Sequence, residues 1–82
     1  MPAKKREETF HVSGSKILDK VKELLKEGNV RRIIIKDKNG KVIIEFPVTI
    51  GVGIVLLAPT LAAVGAIAAL LTDASITVVR EE

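Results

Sequence analysis

The longest apolar feature of this chain is a stretch without any charged residue, from Val48 to Thr72. The residues before it alternate between apolar and polar positions with the periods of strands and helices, and a short tail follows it. A small domain cannot leave so much apolar surface in water without a risk of aggregation. The way in which this stretch is buried therefore decides the fold.

The first part of the chain predicts a short strand followed by an amphipathic helix. Glu8 to Val12 alternates, with Phe10 and Val12 on one side, which is typical of a strand. Apolar residues then recur with a helical period and predict a helix from Ser15 to Glu27. We expect Ser13 or Ser15 to cap its start and Gly28-Asn29 to end it in a left-handed conformation. The apolar stripe of this helix comprises Ile17, Leu18, Val21, Leu24 and Leu25.

Two strand-like runs, Val30 to Lys36 and Lys41 to Phe46, flank the sequence DKNG and predict a β-hairpin. A loop with an even number of residues keeps the apolar side chains together, whereas a three-residue loop with a glycine bulge mixes them with charges. We therefore expect an even loop. A two-residue loop, Asn39-Gly40, would set Ile35 opposite Ile44, and a four-residue loop would set Arg32 opposite Glu45. The predicted apolar face comprises Ile33, Ile35, Val42, Ile44 and Phe46.

The long apolar stretch predicts a helix in its second half. Pro59 suits a first helical turn, and the residues from there to Leu71 are good helix formers. The residues before Pro59 stay open between helix, strand and loop, because Gly51 and Gly53 weaken both regular structures. Ser75 to Arg80 alternates again and predicts a last strand.

A membrane span is the rival interpretation of this stretch. A helix from Val48 to Leu71 would be about 36 Å long, enough for a hydrocarbon core of about 30 Å. The basic N-terminal part would then lie inside. The strand pattern after the stretch requires a sheet to pair with, however, and Pro59 would interrupt the helix. We therefore expect the chain to double back.

Small residues on the second helix predict an interface. Leu61, Val64, Ala68 and Leu71 form a stripe that suits packing on the sheet. A seam of small residues lets helix backbones approach closely, in membranes and in soluble interfaces alike. We expect this seam to form an oligomer interface with a second copy; it comprises Ala62, Gly65, Ala66 and Ala69.

Composition narrows the remaining possibilities. The chain has 82 residues and no Cys, so it holds no disulfide or thiolate site and is compatible with a reducing cytoplasm. We expect a disordered basic lead at 1–8, a single domain at 9–82, and a need for a partner at this small size. With two Phe and no Tyr or Trp, it offers few platforms for stacking bases, so we expect no nucleic acid.

The sequence carries no constellation of catalytic, metal-binding or cofactor-binding residues. His11 is the lone imidazole and is expected to face solvent. Lysines interleave with Asp19, Glu23 and Glu27 at helical spacing, which indicates a salt-bridged surface. Gly51-Val52-Gly53 lacks the third glycine of a phosphate loop. We therefore expect neither an enzyme nor a small-molecule substrate.

The hairpin carries a cluster of basic residues that could contact an anionic surface such as a membrane. The alternative is charge that keeps a strand edge from pairing with other chains. The cluster comprises Arg31, Arg32, Lys36, Lys38 and Lys41.

Several segments together resemble a small prokaryotic family of domains of unknown function, number forty-three forty-two. The resemblance rests on EGNVRRIIIKD, the NGK turn, the EFPVT joint, and the block from LLAP to AAVGAIAALLT. It covers nearly the whole chain and implies no activity and no catalytic residues.

The patterns together predict an α+β fold with the order β-α-β-β-α-β, which resembles the ferredoxin-like arrangement. The expected function is that of a non-enzymatic, self-associating interaction domain in the cytoplasm. The alternative is a membrane-associated protein, with Val48 to Leu71 inserted in the inner membrane and the basic hairpin on its cytoplasmic face.

Overall fold

The computed structural model describes residues 5–27, 29–48 and 58–81, and the open segment before Pro59 lies almost entirely outside them. Within these ranges, four strands and two helices follow one another in the predicted order β-α-β-β-α-β, so the α+β class is confirmed. The elements are β1 (Lys5–Ser13), α1 (Ile17–Leu25), β2 (Val30–Asp37), β3 (Val42–Pro47), α2 (Ala58–Ala68) and β4 (Asp73–Glu81).

The four strands form one antiparallel sheet in the order β1-β4-β2-β3. The last strand therefore lies in the interior of the sheet, between β1 and β2, and not at an edge. The predicted return of the chain after the apolar stretch is confirmed, because Ser75 to Arg80 pairs on both sides. In the described ranges, no helix is both long and apolar enough to cross a membrane.

Both helices pack on one face of the sheet. The fully buried side chains at the centre come from α1, α2 and the two interior strands, as the alternation of β2 and β4 predicts. On the opposite face the strands carry Thr9, His11, Arg32 and Glu45, which are exposed. The buried apolar core comprises Ile17, Val21, Leu24, Val30, Ile33, Ile35, Phe46, Leu61, Val64, Ala68, Ala74, Ile76 and Val78.

The N-terminal elements differ from the prediction at their starts. β1 begins at Lys5, inside the predicted disordered lead, because residues from Lys5 onward pair with β4. A 3₁₀ turn, Gly14–Lys16, precedes α1, and no serine side chain caps either helix start. The hydroxyl groups of Ser13 and Ser15 instead lie 3.3 Å apart and share a hydrogen bond. The predicted serine cap is therefore wrong.

The ends of the two helices also lie earlier than predicted. α1 ends at Leu25, and Asn29 does not adopt the expected left-handed conformation; Gly28 lies outside the described residues. α2 ends at Ala68, where a turn leads into β4. β4 itself begins at Asp73, two residues before the predicted start at Ser75.

The hairpin has the three-residue loop, and a bulge further along the strands shifts their pairing back toward the register of an even loop. Gly40, with φ of 84°, donates its N–H to the Asp37 carbonyl, and Asp37 pairs with Lys41, which makes a three-residue loop. A bulge between Ile35 and Lys36 then shifts the register by one. The prediction of an even loop is wrong, although Ile35 does face Ile44.

The bulge explains why the expected face is kept over most of the hairpin. Beyond it, Ile33 lies opposite Phe46, and both side chains are buried in the core. Before it, Val42 pairs with Lys36 and is 49% exposed, so its predicted place on the core face is wrong. The bulge between Ile35 and Lys36 thus reverses the one-residue shift in register that the three-residue loop introduces.

Candidate interaction surfaces

The second helix presents two different apolar sides. Leu61, Val64 and Ala68 are buried in the core, as the predicted stripe requires. On the other side the small side chains are exposed to solvent, and Leu70 just beyond the helix is 86% exposed. We call this exposed side the α2 outer surface; it comprises Ala62, Ala63, Ala66, Ala69 and Leu70.

The predicted seam is divided between this surface and the contact with α1. Ala62, Ala66 and Ala69 lie on the α2 outer surface. Gly65 is half-buried, and a Cβ at this position would lie 3.6 Å from Cδ2 of Leu18 on α1. Gly65 therefore borders the helix pair inside the molecule, while the three alanines face outward.

The basic residues of the hairpin fall into two groups. Arg31 and Arg32 are tied to carboxylates, because Arg31 Nε lies 2.6 Å from Glu81 Oε2 and Arg32 is ion-paired with Glu45. Lys38 and Lys41 are exposed at the turn, and Lys36 lies half-buried on the open face of the sheet. The structure thus brings the three lysines to one end of the hairpin and the two arginines to the other.

The structure also buries an arginine that the sequence did not single out. Arg80 is 6% exposed and shares the core-facing side of β4 with Ile76 and Val78. Its Nη1 donates to Oε2 of Glu27 over 2.8 Å and approaches Asn29 Oδ1 at 3.3 Å. The alternation of β4 carried the signal, since Arg80 follows Ile76 and Val78 at even spacing.

The Arg80 guanidinium also contacts β1. Its Nε lies 3.0 Å from Oε1 of Glu8 but has no hydrogen-bond partner, so this contact is an ion pair without hydrogen-bond alignment. Glu8 is shared with Arg6, whose Nη2 lies 2.9 Å away. These contacts join β1, β4 and the residues after α1, which is a structural role.

The open face of the sheet carries a row of hydroxyl groups and one imidazole. Thr9 and Thr77 share a hydrogen bond of 3.2 Å between their hydroxyls, and Ser75 Oγ lies 3.1 Å from Nδ1 of His11. His11 is exposed, as predicted, and borders a shallow depression with Asp73. Among the described residues, no group of three or more His, Cys, Asp or Glu could hold a metal ion.

The acidic residues of α1 behave as surface charges. Lys20 Nζ lies 3.5 Å from Oε1 of Glu23, and Asp19 is exposed. Glu27 turns instead toward Arg80. The interleaved pattern of the sequence thus gives an ion-paired helix surface and not a paired-carboxylate site.

Comparison with known proteins identifies a family for this chain. The family model described as a domain of unknown function (DUF4342) matches residues 3–80. No curated protein and no solved structure matches the chain.

Proposed function

The chain belongs to the DUF4342 family, whose description names no activity, and from its geometry we propose a non-enzymatic domain that self-associates through the α2 outer surface. The proposal rests on the contrast between the two described helices. α2 exposes an uncharged side to solvent, whereas α1 is amphipathic. The partner is a second copy of the chain, and the place of action is the cytoplasm, in keeping with a chain without Cys.

The composition of α2 supports the packing of the α2 outer surface against another protein layer. Within Ala58–Ala68 only Thr60 has a polar side chain, so this helix has no polar face to turn toward water. Helix α1, in contrast, exposes Lys22 and Glu23 on its outer side. A surface helix that is apolar on both sides belongs against another layer of protein.

The residue sizes support a second copy as that layer. In a two-fold interface the same surface of each copy packs on that of the other. The surface must therefore be complementary to itself in charge and in shape. The α2 outer surface has no charge to bury, and alanines allow two helices to approach closely. A domain of 82 residues buries only about 60 to 65% of its unfolded surface, so the added burial contributes materially to stability.

The test is the mass of the protein in solution without detergent, measured by size exclusion with light scattering. Ala66→Glu places a carboxylate in the centre of the α2 outer surface and should lower the association constant by at least about tenfold, the equivalent of about 1.4 kcal/mol. The matched control, Lys22→Glu, introduces the same side chain at an exposed position of α1 and should leave the mass unchanged. A monomer at all accessible concentrations of the unmodified chain counts against the proposal.

The second candidate function is membrane association, with Val48 to Leu71 inserted and the basic hairpin at an anionic leaflet. Lys38 and Lys41, both exposed at one end of the hairpin, favour it. The interior position of β4 weighs against it, because both ends of the apolar stretch then lie in one small sheet. Recovery of the protein in the soluble fraction without detergent would remove this candidate, whereas sedimentation with anionic vesicles would support it.

A further inference from the structure

The two edges of the sheet are unlike. β3 presents a short edge of six residues, which a bulge interrupts and Pro47 closes. β1 presents nine residues, contains no proline or glycine, and runs in unbroken register along β4. In the ranges that the structure describes, β1 has no strand on its outer side. A long, regular edge of this kind is a template for pairing with another strand.

The pairing with β4 determines which backbone groups face outward. Gly14 N–H donates to the Thr72 carbonyl over 3.0 Å, and the register continues from this pair to Lys5 opposite Glu81. Neighbouring residues of a strand direct their N–H and C=O groups to opposite sides. The residues at even positions of β1 therefore bond to β4. The outer edge is formed by the backbone groups of Lys5, Glu7, Thr9, His11 and Ser13.

We propose that β1 pairs antiparallel with β1 of a second copy, with Thr9 on the two-fold axis, so that two sheets join into one. This register uses all nine residues and every outward N–H and C=O group of the strand. It places Glu7 opposite His11 of the other copy and Lys5 opposite Ser13. No pair of like charges meets across the axis.

The other registers of the same strand are worse. Centring the pairing on Glu7 or on Glu8 sets a carboxylate directly against its own copy, which is destabilising. Centring it on Phe10 leaves Lys5 without a partner in the strand. Like charges therefore exclude the registers at Glu7 and Glu8, and the full length of the ladder favours Thr9 over Phe10. Edge charges that prevent pairing would instead repel in every register.

The core-facing side of the same pairing is also complementary. Here Glu8 lies opposite Phe10 of the other copy, and Lys20 Nζ lies 4.3 Å from the centre of the Phe10 ring. The second copy thus places Glu8, whose Oε1 also contacts Arg6 and Arg80 of its own chain, on the same side as a lysine that lies over the aromatic ring. This interface involves β1 and the residues above it, so it is separate from the α2 outer surface and does not depend on it.

A single cysteine tests the register directly, because the chain has no Cys of its own. Directly opposed residues in a hydrogen-bonded antiparallel pair have Cα atoms about 5.5 Å apart, within the range that a disulfide spans. Thr9→Cys should therefore give a covalent dimer as the main species under mild oxidation of dilute protein. Val42→Cys, on the opposite edge and 49% exposed, is the control. Equal cross-linking of the two variants would overturn the proposal.

A proline provides the second test. Thr9→Pro removes an outward N–H but no backbone hydrogen bond to β4, so the domain keeps its fold while the intermolecular ladder loses bonds at its centre. The hydroxyl bond from Thr9 to Thr77 is lost in Thr9→Val as well, so that variant controls for it. Made in the Ala66→Glu background, it should lower the mass of any remaining dimer to that of a monomer, whereas Thr9→Val should not. Equal masses for the two variants would refute the β1 interface alone, since the α2 outer surface is already disabled. If Thr9→Pro does not fold, the cysteine test decides.

Discussion

Nη1 of Arg80 donates a hydrogen bond of 2.8 Å to Oε2 of Glu27, and this contact ties the last strand to the residues that follow α1. The same guanidinium lies beside Glu8 on β1. A buried guanidinium needs opposite charge nearby, and the carboxylates of Glu27 and Glu8 provide it here, although Nε has no hydrogen-bond acceptor. Arg80 therefore closes one end of the core where an aliphatic residue would otherwise continue the pattern of Ile76 and Val78.

Truncation of this arginine should be costly. Arg80→Ala removes both the ion pairs and the packing of the aliphatic stem, and we expect the free energy of unfolding to fall by about 2 to 4 kcal/mol. Urea unfolding followed by circular dichroism measures this loss. All variants should be compared at a single protein concentration, because association adds to apparent stability.

Two controls separate charge from packing. Arg80→Met keeps most of the buried stem, and the Glu8 and Glu27 side chains are 33% and 47% exposed, so water can replace the lost partner. We expect a loss of about 1 kcal/mol for this variant. Arg32→Ala removes an exposed ion pair and should cost less than about 1 kcal/mol. Equal losses for Arg80→Ala and Arg32→Ala would contradict the role given to Arg80.

Gly14 lies tightly against the backbone at the end of α2. A Cβ on this residue would lie 1.7 Å from the Leu71 carbonyl oxygen, and backbone cannot move aside as a flexible side chain can. Gly14→Ala should therefore destabilise the fold by about 3 kcal/mol or more, or prevent folding. Thermal unfolding of the purified variant checks this.

Gly65 is the matched control for Gly14. An alanine there would meet Leu18 at 3.6 Å, an ordinary contact distance, and would add helix propensity to α2. We expect Gly65→Ala to be neutral or to stabilise the protein by up to about 1 kcal/mol. A greater loss for Gly65→Ala than for Gly14→Ala would mean that the helix contact is tighter than the turn.

The period of the apolar residues along the chain predicted most of the fold. The alternation of β2 and β4 gave their buried faces, and the helical period of α1 placed Val21 and Leu24 in the core, because burial of apolar area dominates these choices. The order of strands in the sheet did not follow from the pattern, since any strand with one apolar face fits beside β2. The exposed position of Ala66 likewise depends on where α1 lies.

The hairpin shows why local chemistry was harder to predict. One carboxylate oxygen of Asp37 accepts hydrogen bonds from the N–H groups of Asn39 and Lys41, at 2.8 Å and 3.0 Å. Together with the left-handed Gly40 these bonds stabilise the three-residue loop, and a bulge restores the apolar face. Side-chain bonds to the backbone thus determined the length of the loop, while the bulge kept Ile35 opposite Ile44 as the apolar pattern favours.

Removal of the Asp37 carboxylate should weaken this turn. Asp37→Ala leaves two N–H groups without their acceptor at an exposed site, and we expect a loss of about 1 kcal/mol. Asp37→Asn keeps an acceptor oxygen and should lose less than half as much. Urea unfolding measures both. Equal stability of Asp37→Ala and the unmodified chain would show that Gly40 alone determines the loop.

The two proposed interfaces lie on different elements and should therefore add. If both operate, each copy contacts one neighbour through the α2 outer surface and another through β1, which permits assemblies larger than a dimer. Ala66→Glu should leave dimers joined through β1, Thr9→Pro should leave dimers joined through α2, and the double variant should be monomeric. Light scattering of the four proteins over a range of concentrations distinguishes these states. If the double variant stays associated, a third contact must exist elsewhere on the surface. If one of the single variants is already monomeric, only the interface that this variant disrupts operates.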